Sequence, residues 1–162
     1  MRIRNANIYT EEHRFVRGDA AVENGRFVSC NGDPAGEEAV VDAKGMYLIP
    51  GLVDIHFHGC KGADMCDGTK EALDVITSYE ASVGVTSVCP ATMTIPKDEL
   101  LEVMKNAGSY EYSGGSHLVG INMEGPFVNK EKKGAQKEED IKLADVELFH
   151  KLQEAAGGLI KL

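Results

Sequence analysis

From residue 51 onward the apolar residues alternate between two periods, and this rhythm restricts the fold more than any other feature of the chain. "GLVDIHFH" reads as a strand. "TKEALDVITSYEASVG" follows with Leu73, Ile76, Tyr79 and Val83 at helical spacing, Thr69 as N-cap and Gly84 as the stop. "VTSVCPA" is again extended, and "PKDELLEVMKNAG" is helical, with Pro96 suited to a first turn and Asp98 and Glu99 at its positive end. "HLVGINMEG" predicts a third strand and "DVELFHKLQEAAGG" a third helix; "LIKL" opens a fourth strand. Strands alternating with helices of this length predict a parallel sheet with right-handed crossovers. That sheet either lies open and doubly wound or closes into a barrel. An open nucleotide-binding sheet carries a glycine-rich phosphate loop after its first strand. "HGCKGADMCDG" has the glycines without that spacing. A barrel takes eight units and about 250 residues. The 162 residues hold three units and the start of a fourth, so the expectation is a piece of a longer protein.

Residues 1–50 follow a different rule. "AAVENGRFVSC" places two apolar runs around Asn24-Gly25, a strong hairpin signal. "EEAVVDAKGMYLIP" repeats the theme around Lys44-Gly45. Two domains are expected: a small all-β element over 1–50, and the first three to four β/α units of a barrel over 51–162.

Composition excludes several classes. Acidic residues outnumber basic ones 26 to 17, which opposes a nucleic-acid partner. The N-terminal residues have no apolar core of a secretory signal. No run approaches the roughly 18 apolar residues of a membrane helix, so no membrane partner is expected. The cysteines, Cys30, Cys60, Cys66 and Cys89, form no CxxC pair. They read as reduced thiols, mostly small buried hydrophobes, in a cytoplasmic protein. Cys60 stands out for its place beside a histidine pair.

That pair lies in "IPGLVDIHFHG". Asp54, His56 and His58 recur at every second position, hence on one face of a strand, with Val53, Ile55 and Phe57 on the other. A strand buried on both faces would be apolar throughout. Two imidazoles about 6.5 to 7 Å apart along a strand can converge on one divalent ion when the strand end twists. The alternative is a pair of hydrogen-bonded core histidines. In "GINMEGPF", Gly120, Asn122 and Glu124 share a face, and Gly125-Pro126 ends the strand directly after Glu124. Sites in barrels and open sheets lie at the carboxyl ends of strands, where a carboxylate binds metal or moves a proton. His13, His117 and His150 sit in the β element, at a strand start and on a helix, and read as structural. "NKEKKGAQKEED" is a charged loop that follows Glu124 closely, so Lys132, Lys133, Ala135 and Gln136 are candidates for a pocket rim.

These residues carry a resemblance. "VDAKGMYLIPGLVDIHFHG" resembles the opening of the amidohydrolase superfamily, in which a β element feeds a (β/α)8 barrel whose first strand carries His-x-His. "HGCKGADMCDGT", "GVTSVCPATMT" and "GINMEGPFVNKEKKGAQ" together resemble the N-acetylglucosamine-6-phosphate deacetylase family. The resemblance implies the N-terminal part of such a barrel and hydrolysis of N-acetylglucosamine 6-phosphate to glucosamine 6-phosphate and acetate. It implies a divalent metal, zinc or iron, as one or two ions. Glu124 would be the principal ligand, with His56 and His58 holding a second ion. Some family members have Gln and Asn at that pair, so the metal count stays open. Ala135 and Gln136 match a pair that lies against the sugar, Gln136 standing where the family often has His. The general-base aspartate would lie beyond residue 162, leaving these residues inactive alone. A homodimer is implied for the full-length protein. Two other functions stay open: an amidohydrolase of dihydroorotase or hydantoinase type, and a non-catalytic metal-binding domain. A nucleotide-binding open sheet is the weakest of the alternatives.

Overall fold

The computed structural model describes residues 1–29 and 39–162. Cys30 lies outside the described residues. The chain divides into two compact units, Met1–Pro50 and Gly51–Leu162.

The first unit is a sheet. Strand β1 (Arg2–Tyr9) pairs antiparallel with β2 (Phe15–Glu23), which pairs antiparallel with β3 (Arg26–Ser29). The β2–β3 turn is Asn24-Gly25, with φ of 50° and 73°. Positive φ at both positions is what a two-residue hairpin needs to match strand twist, and Asn followed by Gly tolerates it at least cost. The second expected hairpin does not form. β4 (Val40–Asp42) and β5 (Tyr47–Leu48) both lie parallel to β1 instead of pairing with each other. Lys44 and Gly45 do turn the chain, but the turn only steps it along β1, whose bulge between Ile3 and Ala6 divides that edge into two stretches. Asp19 and Asp42 accept hydrogen bonds from the backbone and side-chain nitrogens of Asn5 at the bulge, each at 3.0 Å. The core of this unit is thin: Ala6, Ile8, Ala20 and Ala43.

In the second unit, β6 (Leu52–Asp54) leads into the short antiparallel pair β7 (Gly59–Cys60) and β8 (Ala63–Asp64). Helix α1 (Lys70–Ser82) follows, its N-cap Thr69 accepting the N–H of Ala72. β9 (Val85–Val88), α2 (Lys97–Gly108), β10 (His117–Leu118) and α3 (Val146–Ala155) complete the order. β6, β9 and β10 are parallel neighbours. A further parallel bridge joins Ile121 to Ile160. The helices bury Leu73, Leu100, Val103, Met104, Leu148 and Leu152, with Met65, Ile121 and Ile160, in one core. α1 turns Ala72, Leu73, Ile76, Thr77 and Glu80 inward, and Val83 is exposed. α2 and α3 approach closely: a Cβ on Gly108 would stand 2.5 Å from the carbonyl oxygen of Ala155.

The strands are shorter than the sequence predicts. Regular pairing stops at Asp54 in the first and at Leu118 in the third. Pro90 supplies no N–H toward the third segment, where pairing resumes as the isolated parallel bridge between Ala91 and Asn122. On the other side Asp54 Oδ1 takes the N–H of His56, and the next hydrogen bond to the first segment is Ala91 N to Phe57 O at 2.7 Å. Val53 and Ile55, on the face opposite Asp54 and His56, are 59% and 54% exposed. β6 has one neighbour among the described strands, and no described helix covers those two side chains. Among the described residues no helix is long and apolar enough to cross a membrane.

Candidate metal centre

The ends of the first and third extended segments bring three side chains together. His56 Nε2 lies 3.5 Å and His58 Nε2 3.4 Å from the same carboxylate oxygen, Glu124 Oε2. The ligand atoms of the three residues all fall within 4.8 Å of one another. The two rings meet edge to face, with centroids 5.5 Å apart. Separations of 3.4–3.5 Å are long for an N–H···O hydrogen bond. They match two ligands of one tetrahedral ion, which sit about 3.4 Å apart when each is about 2.0–2.1 Å from the metal. The donor set, two imidazoles and a carboxylate, suits a divalent cation.

Neighbouring groups hold the trio. His58 Nδ1 faces the carbonyl of Ala91 at 3.3 Å, so a proton on Nδ1 donates there and Nε2 is free for an ion. Asn122 Nδ2 donates to Ile55 O at 2.9 Å and faces His56 Nδ1 at 3.1 Å. In that arrangement Nδ1 accepts and the proton of a neutral His56 sits on Nε2. An ion on Nε2 calls for a proton on Nδ1, and Asn122 can accept it only by turning its oxygen there and giving up its donation to Ile55 O. Asp54 stands outside the trio: its Oδ1 accepts the backbone N–H of His56 at 3.0 Å, bending the chain between strand and site.

Glu124 is gripped from the other side. Gln136 Nε2 donates to Glu124 Oε1 at 2.6 Å. Gln136 Oε1 accepts the N–H of Thr94 at 2.7 Å, and Lys133 Nζ donates to the Gln136 carbonyl at 3.1 Å. Ala135 is exposed beside the buried Gln136, and Lys132 is exposed. The grip of Gln136 on Glu124 has no sequence signal, because Gln136 follows 12 positions later, across a loop without strand or α-helix periodicity. Asn122 does have one: it precedes Glu124 by two positions.

The remaining candidates are not members of the trio. His13 faces the hydroxyl of Tyr9 at 3.0 Å. His117 stacks on Tyr112, with centroids 4.3 Å apart. His150 lies on the exposed face of α3 beside the ring of Phe149. Cys60, Cys66 and Cys89 are free thiols. Burial raises the pKa of all three, that of Cys66 to about 11, so each stays protonated near neutral pH and is a poor nucleophile or ligand.

No family model matches the chain. Individual proteins do. N-acetylglucosamine-6-phosphate deacetylase of Bacillus subtilis is 34% identical over 169 residues, covering 99% of this chain and 42% of that protein. The human protein of the same name is 29% identical over 156 residues, covering 90% and 38%. The crystal structure of N-acetylglucosamine-6-phosphate deacetylase from Pasteurella multocida superposes with a TM-score of 0.85 at 25% identity, covering 98% of this chain and 42% of that one. The chain therefore spans about two fifths of the length of the relatives it matches, and its mixed α/β fold is theirs.

Proposed function

From a likeness to N-acetylglucosamine-6-phosphate deacetylases that runs through nearly the whole chain, we propose that these residues form the N-terminal part of a metal-dependent deacetylase. The substrate is N-acetylglucosamine 6-phosphate, and water cleaves its acetamide to give glucosamine 6-phosphate and acetate. The observation that carries this reading is the convergence of His56 Nε2 and His58 Nε2 on one oxygen of Glu124.

In this reading residues 1–50 are a small all-β element, and 51–162 are the first units of a (β/α)8 barrel. The strand order supports closure. β6, β9 and β10, and then the bridge to Ile160, neighbour one another in chain order. A doubly wound sheet turns back to set its third or fourth strand beside its first, whereas here the fourth segment bridges the third at Ile121 and Ile160.

Glu124 is the principal ligand, and His56 and His58 hold a second ion where two bind. Imidazole and carboxylate together favour zinc or iron. A dication there supplies Lewis acidity, which makes water a nucleophile at neutral pH and polarises an amide carbonyl. The chain's own groups orient and enclose. Ala91 O fixes the His58 ring, and Asn122 fixes the His56 ring. Ala135, exposed and next in the chain to Gln136, is the residue this reading sets against the sugar. None of these residues is assigned the role of general base, and the complete protein acts as a homodimer in the cytoplasm.

Acetate release from N-acetylglucosamine 6-phosphate by the intact protein tests the proposal. The expected result is turnover that a chelator abolishes and added zinc or iron restores. Hydrolysis of dihydroorotate or hydantoin in its place, or turnover indifferent to chelation, would reject it.

A further inference from the structure

We infer that Gln136 is a positioning residue for Glu124: its buried amide turns the carboxylate so that one oxygen alone faces the two imidazoles. The inference rests on the metal reading above and concerns a residue that the family resemblance places against the sugar instead.

Gln136 is 4% exposed, and both ends of its amide are committed. The nitrogen donates to Glu124 Oε1 at 2.6 Å, and the oxygen accepts from Thr94 N at 2.7 Å. The nitrogen's other neighbour is Met93 Sδ at 3.7 Å. Reversing the amide would set oxygen against carboxylate and N–H against N–H, so only one orientation is stable. The backbone of Gln136 is fixed as well: its N–H donates to Lys133 O at 3.0 Å, and its carbonyl accepts from Lys133 Nζ at 3.1 Å. The hydrogen bond to Glu124 is charge-assisted and short, hence among the stronger kinds. It removes rotamer freedom from a side chain that would otherwise have to be ordered when a cation binds. It also occupies Oε1, leaving Oε2 at 3.4–3.5 Å from both rings. Both N–H groups of the Gln136 amide are directed, to Glu124 Oε1 and Met93 Sδ, and the side chain has at most one lone pair of its buried oxygen left for a sugar hydroxyl.

The test is zinc titration of the intact, chelator-stripped protein, followed by steady-state kinetics at saturating zinc. Gln136→Met keeps the side chain's length and loses both hydrogen bonds. Gln136→Asn keeps the amide and withdraws it by one methylene. Both are expected to raise the zinc dissociation constant about 10- to 100-fold, as loss of a group that orients a metal ligand does. KM for N-acetylglucosamine 6-phosphate should stay near the wild-type value once zinc is saturating. Wild-type zinc affinity with a raised KM would overturn the inference and make Gln136 a sugar contact. Loss of the fold in both variants, judged by thermal unfolding of the stripped protein, would also overturn it. Glu124→Gln separates this from the metal reading itself. If Glu124→Gln loses zinc while both Gln136 variants keep it, only the positioning role fails. If Glu124→Gln keeps zinc, the metal reading fails.

Discussion

Asp74 shows how one side chain can tie segments together away from the site. Its carboxylate accepts Lys70 Nζ at 2.6 Å, Ser113 Oγ at 2.7 Å and the Tyr110 hydroxyl at 2.9 Å, joining α1 to the segment after α2. These bonds, Lys70's first, hold its pKa down at about 2. A depressed carboxyl stabilises the fold above its unfolded pKa of about 3.9 and stops doing so as pH falls through the folded value. Asp74→Asn should therefore lower the melting temperature at pH 7, and the gap to wild type should close between about pH 4 and pH 2. A gap independent of pH would show that the charge contributes nothing. At the same scale, much of the site is legible in the sequence. His56 and His58 declare themselves by alternate spacing, and Glu124 by its place before Gly125-Pro126. Gln136 is marked only as a candidate for the pocket rim; its hold on Glu124 is not legible, because its partners Glu124 and Thr94 lie across loops that no periodicity marks.

Helices were easier to read than strands. α1 starts after its Thr69 cap and stops before Gly84, as local chemistry dictates. Its inward face was harder to place: burial selected Thr77 and Glu80 over Tyr79 and Val83, because the neighbouring elements, not α1's own pattern, decide which stripe is covered. Strand lengths are harder to read, since pairing depends on what each neighbour offers: Pro90 has no N–H for the third segment, and Asp54 Oδ1 draws the His56 N–H out of the ladder. The parallel docking of β4 and β5 on β1 was invisible for the same reason: partner choice is non-local. The α2–α3 contact makes a prediction at this scale. Gly108→Ala puts a methyl against the carbonyl of Ala155, and should destabilise the second unit by about 1–3 kcal/mol, the usual cost of overpacking. Denaturant unfolding measures it. A stabilisation, the ordinary result of replacing a helical glycine by alanine, would mean the two helices stand further apart.

At the scale of the molecule, each unit leaves apolar surface open. In the first, Phe27 and Tyr47 are 63% and 69% exposed, alongside Phe15, Val40 and Val41. In the second, Leu52, Val53 and Ile55 are exposed along β6. Apolar sheet surface of this kind, with unpaired edge groups, favours association. Residues 1–162 expressed alone should sediment as oligomers or aggregates, and a monodisperse monomer would contradict that. The central claim is narrower: His56, His58 and Glu124 together form one metal centre. Anomalous diffraction at the zinc edge, from crystals of the intact protein grown with zinc, tests it most directly. The account predicts a peak about 2.0–2.2 Å from a Glu124 oxygen, with an imidazole nitrogen of His56 or His58 coordinated in the same centre. Zinc bound elsewhere, with all three side chains free of it, would contradict the account.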